Sequence, residues 1–417
     1  MKIDLLVVNA EIYTPIDKGR PLAGEDAGAL LHIANGAVAV KDGTIVDVGE
    51  TGRLKGQYAE AVRVVDAAGR ALIPGFVDPH THALFIGSRE DEFVMRMKGK
   101  SYMEILREGG GILNTLKRIR KATLEELAEA LKRRLSVFLE YGTTAVEIKS
   151  GYGLDTVNEL KMLKAIKSVS QSTDMELVAT FIGAHAVPPE YANRKGDYVD
   201  LVVNEMIPAV AELGLAEFVD VFCEQGVFDV RETRRILKAA CEVGLKAKIH
   251  ADEIKAIGCS ELSGEIKIVS CDHLLKIQPS GIAAMRSSGT IATLLPITAF
   301  SLREPYAPAR ELIDGCVPVA LATDCNPGSS YSESMPMAIT LAVVEMGMTP
   351  DEALVSSTLN AAYALDKAAR IGSIEPGKRA NFVILKEDSH LFIPYHVGIN
   401  PVYETYVGGW CAFTAAD

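Results

Sequence analysis

Three observations predict an α/β chain: a (β/α)8 TIM-like barrel beside a small β-sandwich domain built from both chain ends. Between residues 73 and 365, eight apolar strand segments alternate with helical ones. Residues 1–72 read as β with no helix-period run, and 366–417 return to β. Several histidines and an aspartate fall where the predicted barrel strands end. Near-continuous apolar strands alternating with helices mean a parallel sheet covered by helices. Eight such units in about 290 residues suit a closed barrel. A doubly wound open sheet is the competing architecture. It expects a Gly-rich phosphate turn after its first strand, where this chain has His80-Thr81-His82.

In chain order, Leu5-Leu6-Val7-Val8 is a short apolar run, and Val38–Val40 and Thr44–Val46 flank Lys41-Asp42-Gly43, a hairpin signal. Val64-Val65 follows. Phe76–His82 is the first barrel strand, preceded by Ile73-Pro74-Gly75. Thr123 and Glu126 form a capping box, and Leu127, Leu131, Leu135 and Leu139 recur at helical spacing. Thr143–Ile148 is a strand ending in the loop Lys149–Gly153, followed by a helix from Thr156 to Ser168. The later strands are Leu177–Ile182 running towards His185, Val219–Cys223, Lys246–Ile249 before His250, Ile266–Val269 before His273, Thr290–Leu295, and Val317–Thr323 before Asp324. In the tail, Asn381–Leu385 and Tyr403–Val407 are strands expected to pair with the N-terminal ones.

Composition narrows the function. A net charge of 43 − 55 = −12 argues against a nucleic-acid surface. No apolar run is long enough to cross a bilayer, and the N-terminus reads as a strand rather than a signal peptide. The seven Cys are odd in number and include no Cys-x-x-Cys, so a reduced, cytoplasmic protein is expected.

The chemistry gathers at the strand ends, where such barrels place their active sites. A lone His-x-His is more often two ordinary polar residues after a turn. Here, however, five of the eight His (His80, His82, His185, His250 and His273) end predicted barrel strands. His80 and His82 at period-two spacing share a face, His250 ends strand five, and Asp324 ends strand eight beside strand one. Three imidazoles and a carboxylate describe a catalytic metal site with an open position. Strand four ends in Cys223-Glu224, with no Lys to bridge a second ion, so one metal is expected. Glu253, three residues beyond His250, reads as a proton shuttle rather than a solvated loop carboxylate. His273 reads as a group that polarises a carbonyl or orients water, with a fifth ligand as the alternative, and Asp324 doubles as a proton acceptor.

The stretches PGFVDPHTH, KIHADEI, CDHL and ATDCNPGSS, with EIKSGYGLDTVNELKML and TFIGAHAVPPEY, resemble the amidohydrolase superfamily across essentially the whole barrel. The resemblance implies hydrolysis of the cyclic amide of 4-imidazolone-5-propanoate to N-formimidoyl-L-glutamate in histidine degradation. It also implies one zinc or iron ion per chain and a homodimer. Such a substrate carries a carboxylate, and the residues offer partners for it. Arg89 lies on the loop after strand one, where a guanidinium can fork to the carboxylate. Asn326, Gly328 and Ser329 follow Asp324 in a loop whose N–H groups can bind anions. Tyr152 can reach the mouth, and His185 can bond the ring. Tyr102 is a weaker candidate, and Gly109–Gly111 a possible hinge. Two other functions compete: deamination of a purine- or pyrimidine-like ring on the same metal set, and a catalytically dead barrel used for binding.

Overall fold

The structure, a computed structural model, describes residues 2–100, 104 and 110–416. The chain begins with β1 (Leu5–Pro15), β2 (Leu30–Lys41), β3 (Thr44–Glu50), β4 (Arg63–Asp66) and β5 (Ala71–Pro74).

 
The chain then supplies the barrel strands β6 (Phe76–Asp78), β7 (Thr143–Lys149), β8 (Glu176–Ala184), β9 (Phe218–Cys223), β10 (Lys246–Ala251), β11 (Ile268–His273), β12 (Ile291–Leu294) and β13 (Val319–Leu321). It ends with β14 (Phe382–Leu385), β15 (Val402–Val407) and β16 (Trp410–Thr414).

Strands from both ends form one sheet in the order β16-β15-β14-β5-β1-β2-β3, with β4 on β1. The Asp-Gly hairpin forms as expected, with Asp42 (φ 50°) and Gly43 (φ 74°) both left-handed, the conformation a tight two-residue turn requires. β1 explains why its sequence is an unbroken apolar run. Leu5 and Val7 face a cluster with Val38, Ile45, Phe382 and Ile384, while Leu6 and Val8 face one with Ala37, Ala39 and Leu54. Leu54 belongs to a short helix, Thr51–Gln57, that the sequence pattern did not signal, because two of its seven residues are Gly. β14 pairs antiparallel with β5, bringing the tail onto the N-terminal strands as expected. β16 was not expected. It is an edge strand, and its residues are mostly exposed, so it has little burial pattern to read.

The barrel strands are parallel and adjacent in chain order from β6 to β13. The first and last are joined by Asp324 N to His80 O (3.1 Å), His82 N to Cys325 O (3.0 Å) and Thr323 N to Asp78 Oδ1 (3.2 Å). The helix Leu124–Glu140 covers the outside, its Thr123/Glu126 capping box intact and Leu127, Leu131 and Leu135 buried. Such a cap contributes about 1 kcal/mol.

Two expectations need correction. β6 stops at Asp78, so His80 and His82 lie on the segment beyond the strand and are aimed by that segment rather than by strand alternation. Cys223 and Cys259 form a disulfide, with Cα atoms 6.0 Å apart, so the cysteines are not all reduced. The fold brings the end of β9 against the loop after β10, a pairing that a separation of 36 residues does not advertise. Tyr102 and Gly109 lie outside the described residues.

Candidate active site

The barrel's C-terminal rim turns sharply where the chemistry sits. Asp252 (φ 53°), His273 (φ 78°) and Asp324 (φ 53°) are non-glycine residues in the left-handed region, a conformation that costs roughly 1–2 kcal/mol and gathers at functional sites. It swings their side chains off the strand direction.

Four of the predicted side chains converge. His82 Nε2 lies 3.3 Å from His250 Nε2, and Asp324 Oδ1 lies 3.8 Å from Nε2 of both His80 and His82. Donors each ~2.1 Å from one ion stand about 3–4 Å apart, so this spacing fits a single ion. His80 Nε2 is buried with no hydrogen-bond partner among the described residues, as a nitrogen reserved for a metal would be. The donor set of three imidazoles and a carboxylate suits zinc or iron. His273 also reaches the cluster, forming a compact group with His80 and His250. Its Nδ1 lies 3.5 Å from Glu253 Oε1, which links the two proposed proton-handling groups.

The residues expected to meet substrate stand on loops. Arg89 Nε donates to Glu92 Oε2 at 2.8 Å, and Glu92 also accepts from Gly111 N at 3.1 Å. The guanidinium lies over Gly328, where a Cβ would fall 2.5 Å from Nη1. Tyr152 is buried, with its ring 5.9 Å from that of His82. His185 stacks on His82 at 4.7 Å and donates from Nδ1 to Gly151 O at 3.0 Å, which leaves Nε2 as its acceptor. Gly151 (φ 90°) is required there, since a Cβ would meet Ile182 Cγ2 at 2.6 Å.

The Asn326 loop departs from its expected role. Asn326 Oδ1 accepts from the backbone N–H of both Gly328 and Ser329 at 2.8 Å, and its Nδ2 donates to Asp324 O at 2.7 Å. Those N–H groups therefore shape the loop instead of facing a ligand. Asn326 is a brace that also engages the Ser329 hydroxyl, its Nδ2 donating to Ser329 Oγ at 3.0 Å, which leaves Arg89 as the charged group on that side.

With this geometry in view, comparison with known proteins is decisive. Residues 71–415 match the family model described as Amidohydrolase family. The chain belongs to the amidohydrolase family. Curated relatives named imidazolonepropionase include one from Syntrophobacter fumaroxidans, 48% identical over 95% of this chain and 94% of the relative. Another, from Desulfotalea psychrophila, is 49% identical over 96% and 97%. Among solved structures, E. coli guanine deaminase superposes with a TM-score of 0.74 at 18% identity, covering 99% of each chain. A zinc-bound adenosine deaminase from Xanthomonas campestris gives 0.72 at 18%, covering 98% of this chain and 93% of that one. At that identity the likeness is one of fold.

The electrostatics of this amidohydrolase are set by burial. Burial and neighbouring cations hold His80, His82 and His273 well below the usual histidine range, so their imidazoles are neutral and able to ligate. Burial also acts against a charged His250, but the Asp220 carboxylate outweighs it and raises the value. Burial, reinforced by Asp324, pushes Glu253 up to about 8. Burial pushes Asp324 to about 6, against a hydrogen bond from Thr298. A bound cation would draw it back down.

Sequence reasoning missed the layer beneath the ligands. Asp272 Oδ2 lies 2.6 Å from His80 Nδ1. Asp220 Oδ2 lies 2.9 Å from His250 Nδ1, in an off-axis contact, and its Oδ1 accepts from His250 N at 3.1 Å. Lys149, Lys248 and Glu147 complete the layer. The available signal was a charged residue inside an apolar strand, as in Val219-Asp220-Val221 and Cys271-Asp272. Glu224, just past the end of the fourth barrel strand, has a role that its sequence context does not signal. Its carboxylate accepts from Ile254 N at 2.8 Å and Lys255 N at 3.2 Å, so it braces the loop that carries Glu253.

Proposed function

We propose that this chain hydrolyses the ring amide of 4-imidazolone-5-propanoate to N-formimidoyl-L-glutamate, a step of histidine degradation. The convergence of His80, His82, His250 and Asp324 beside an arginine poised over Gly328 carries this reading. Those four residues would hold one ion, zinc or iron, which when bound supplies Lewis acidity and an activated water.

The chain's own residues do the rest. Arg89, fixed through Nε by Glu92, presents its Nη groups to the propionate beside the loop that Asn326 and Ser329 brace. Tyr152 and the Nε2 acceptor of His185 orient the ring against His82. His273, as a neutral imidazole, donates to the carbonyl oxygen as charge develops there. Glu253, 3.5 Å from His273, takes a proton from the attacking water and delivers it to the ring nitrogen as the C–N bond opens. Asp324 is the alternative acceptor for that proton.

The remaining features fit a metabolic hydrolase. The domain limits we infer are 1–72 with 366–417 and 73–365, which place the ligands and the substrate loops in the barrel. No helix among the described residues is long and apolar enough to cross a membrane. We infer a cytoplasmic homodimer. The test is turnover of 4-imidazolone-5-propanoate, with metal content measured on the same sample. Ring opening without ammonia, at about one ion per chain, is expected. Ammonia release would favour a deaminase instead, and about two ions per chain would sink the ligand assignment.

A further inference from the structure

Directly beneath the ligands lies a layer of charge without solvent access. Lys149, Lys248, Glu147, Asp220 and Asp272 are all 0% exposed. Lys149 Nζ donates to Asp220 Oδ2 at 2.8 Å and stands 2.7 Å from Glu147 Oε2 and 3.9 Å from Asp272 Oδ2. Lys248 Nζ stands 2.8 Å from Glu147 Oε1 and donates to Pro79 O, one residue before His80, at 2.8 Å. Thr180 donates its hydroxyl to Glu147. A continuous chain therefore runs from Thr180 through Glu147, Lys149 and Asp220 to His250, with Asp272 and His80 alongside.

Burying so many charges is costly, and packing alone would be served as well by apolar residues of the same volume. Carboxylates behind ligating histidines, in contrast, fix ring orientation and tautomer and strengthen metal binding. A carboxylate can do this only if it is itself held. Asp220 must serve His250 with the same oxygen, Oδ2, that Lys149 grips. Three carboxylates against two ammonium groups leave one negative charge.

We propose that Lys149 is a positioning residue for the metal centre: its ammonium holds Asp220, and through Asp220 the His250 imidazole, in the ligating orientation. This role rests on the four-ligand reading above. Lys149→Met, Asp220→Asn and the double variant are compared with the parent. The readouts are the rate of metal loss to a chelator, the visible spectrum of the cobalt-substituted protein, and KM beside kcat. Lys149→Met is expected to bind metal about 10–100-fold more weakly, with a shifted cobalt spectrum and KM changed by no more than about twofold. The double variant should lose metal no faster than Asp220→Asn alone, because both changes cut one chain of contacts. Parent-like metal retention and cobalt spectrum in folded Lys149→Met, or additive losses in the double variant, would overturn the proposal. If Lys149→Met does not fold, Thr180→Val perturbs the same chain two contacts away and should weaken metal binding by a few-fold. No change there overturns the role. His250→Ala separates the two readings: unchanged metal content in it refutes the ligand set itself, and the role of Lys149 falls with it.

Discussion

Replacing Gly328 by Ala tests the carboxylate site without removing any charge. The new Cβ would lie 2.5 Å from Arg89 Nη1 and 3.0 Å from Cζ, where ordinary contact begins at 3.4 Å, so the guanidinium must retreat by roughly 1 Å. Gly328 is not in the left-handed region, so the backbone accepts alanine without strain. Arg89 cannot swing freely, because its Nε is tied to Glu92 at 2.8 Å. A charged hydrogen bond contributes about 1.5–3 kcal/mol, and a displacement of this size loses much of it. KM should rise about tenfold to a hundredfold. The propionate carries its charge in ground and transition states alike, so kcat should change less. Steady-state kinetics of Gly328→Ala, Arg89→Met and the double variant provide the assay. Both single variants should raise KM, and the double should be no worse than Arg89→Met, because one contact is lost in each case. An unchanged KM in Gly328→Ala, or a fall confined to kcat, would refute the placement of the carboxylate between Arg89 and the Asn326 loop.

Glu253→Gln should keep its metal and lose about 10²–10⁴-fold in turnover, whereas full activity would shift the shuttle to His273 or Asp324. The same variant has a pH signature in the metal-free protein. Glu253 titrates at about 8 when folded, against 4.5 as the ordinary value. As pH rises through that window the unfolded chain releases its proton first, so stability falls by up to about 1.4 kcal/mol per pH unit and levels off above 8. Urea midpoints of parent and Glu253→Gln, both metal-free, should therefore nearly coincide at pH 5 and separate by pH 9 with the Gln variant more stable; parallel curves would contradict the buried acid. His250→Ala should lose most of its metal by elemental analysis, and retention would remove His250 from the ligand set.

Much of the barrel was legible because each strand reads twice, as an apolar segment and as a stop. His250, His273 and Asp324 sit at or just past those stops. The His80/His82 pair was found for a partly wrong reason, since β6 ends at Asp78 and the Asp78–Thr323 contact, not strand alternation, sets the segment that follows. Loop chemistry was less legible. An Asn-Pro-Gly-Ser sequence announces a tight turn but not whether its N–H groups face outwards, and here the Asn326 side chain takes them. The helix Thr51–Gln57 was missed because two of its residues are Gly, and strand β16 because its mostly exposed residues give no burial contrast. The Cys223–Cys259 pairing depends on the end of β9 meeting the loop after β10 in space.

The proposed ligands and the proposed substrate contacts occupy different levels of the structure, and this governs how each can vary. The ligands stand where the strands end, and the layer of Lys149, Asp220 and Asp272 beneath them is wholly buried, so a change there disturbs charge balance as well as geometry. Arg89, Gly328 and Ser329 stand on loops after the first and last strands, partly open to solvent, where replacement leaves the barrel intact. Solved structures that share the fold at 18% identity are named as guanine and adenosine deaminases. In such barrels the strand ends carry the chemistry and the loops after them vary with function. Substitutions at the two levels should then separate by assay: those at the ligands and the charge beneath them in metal content, those on the loops in KM.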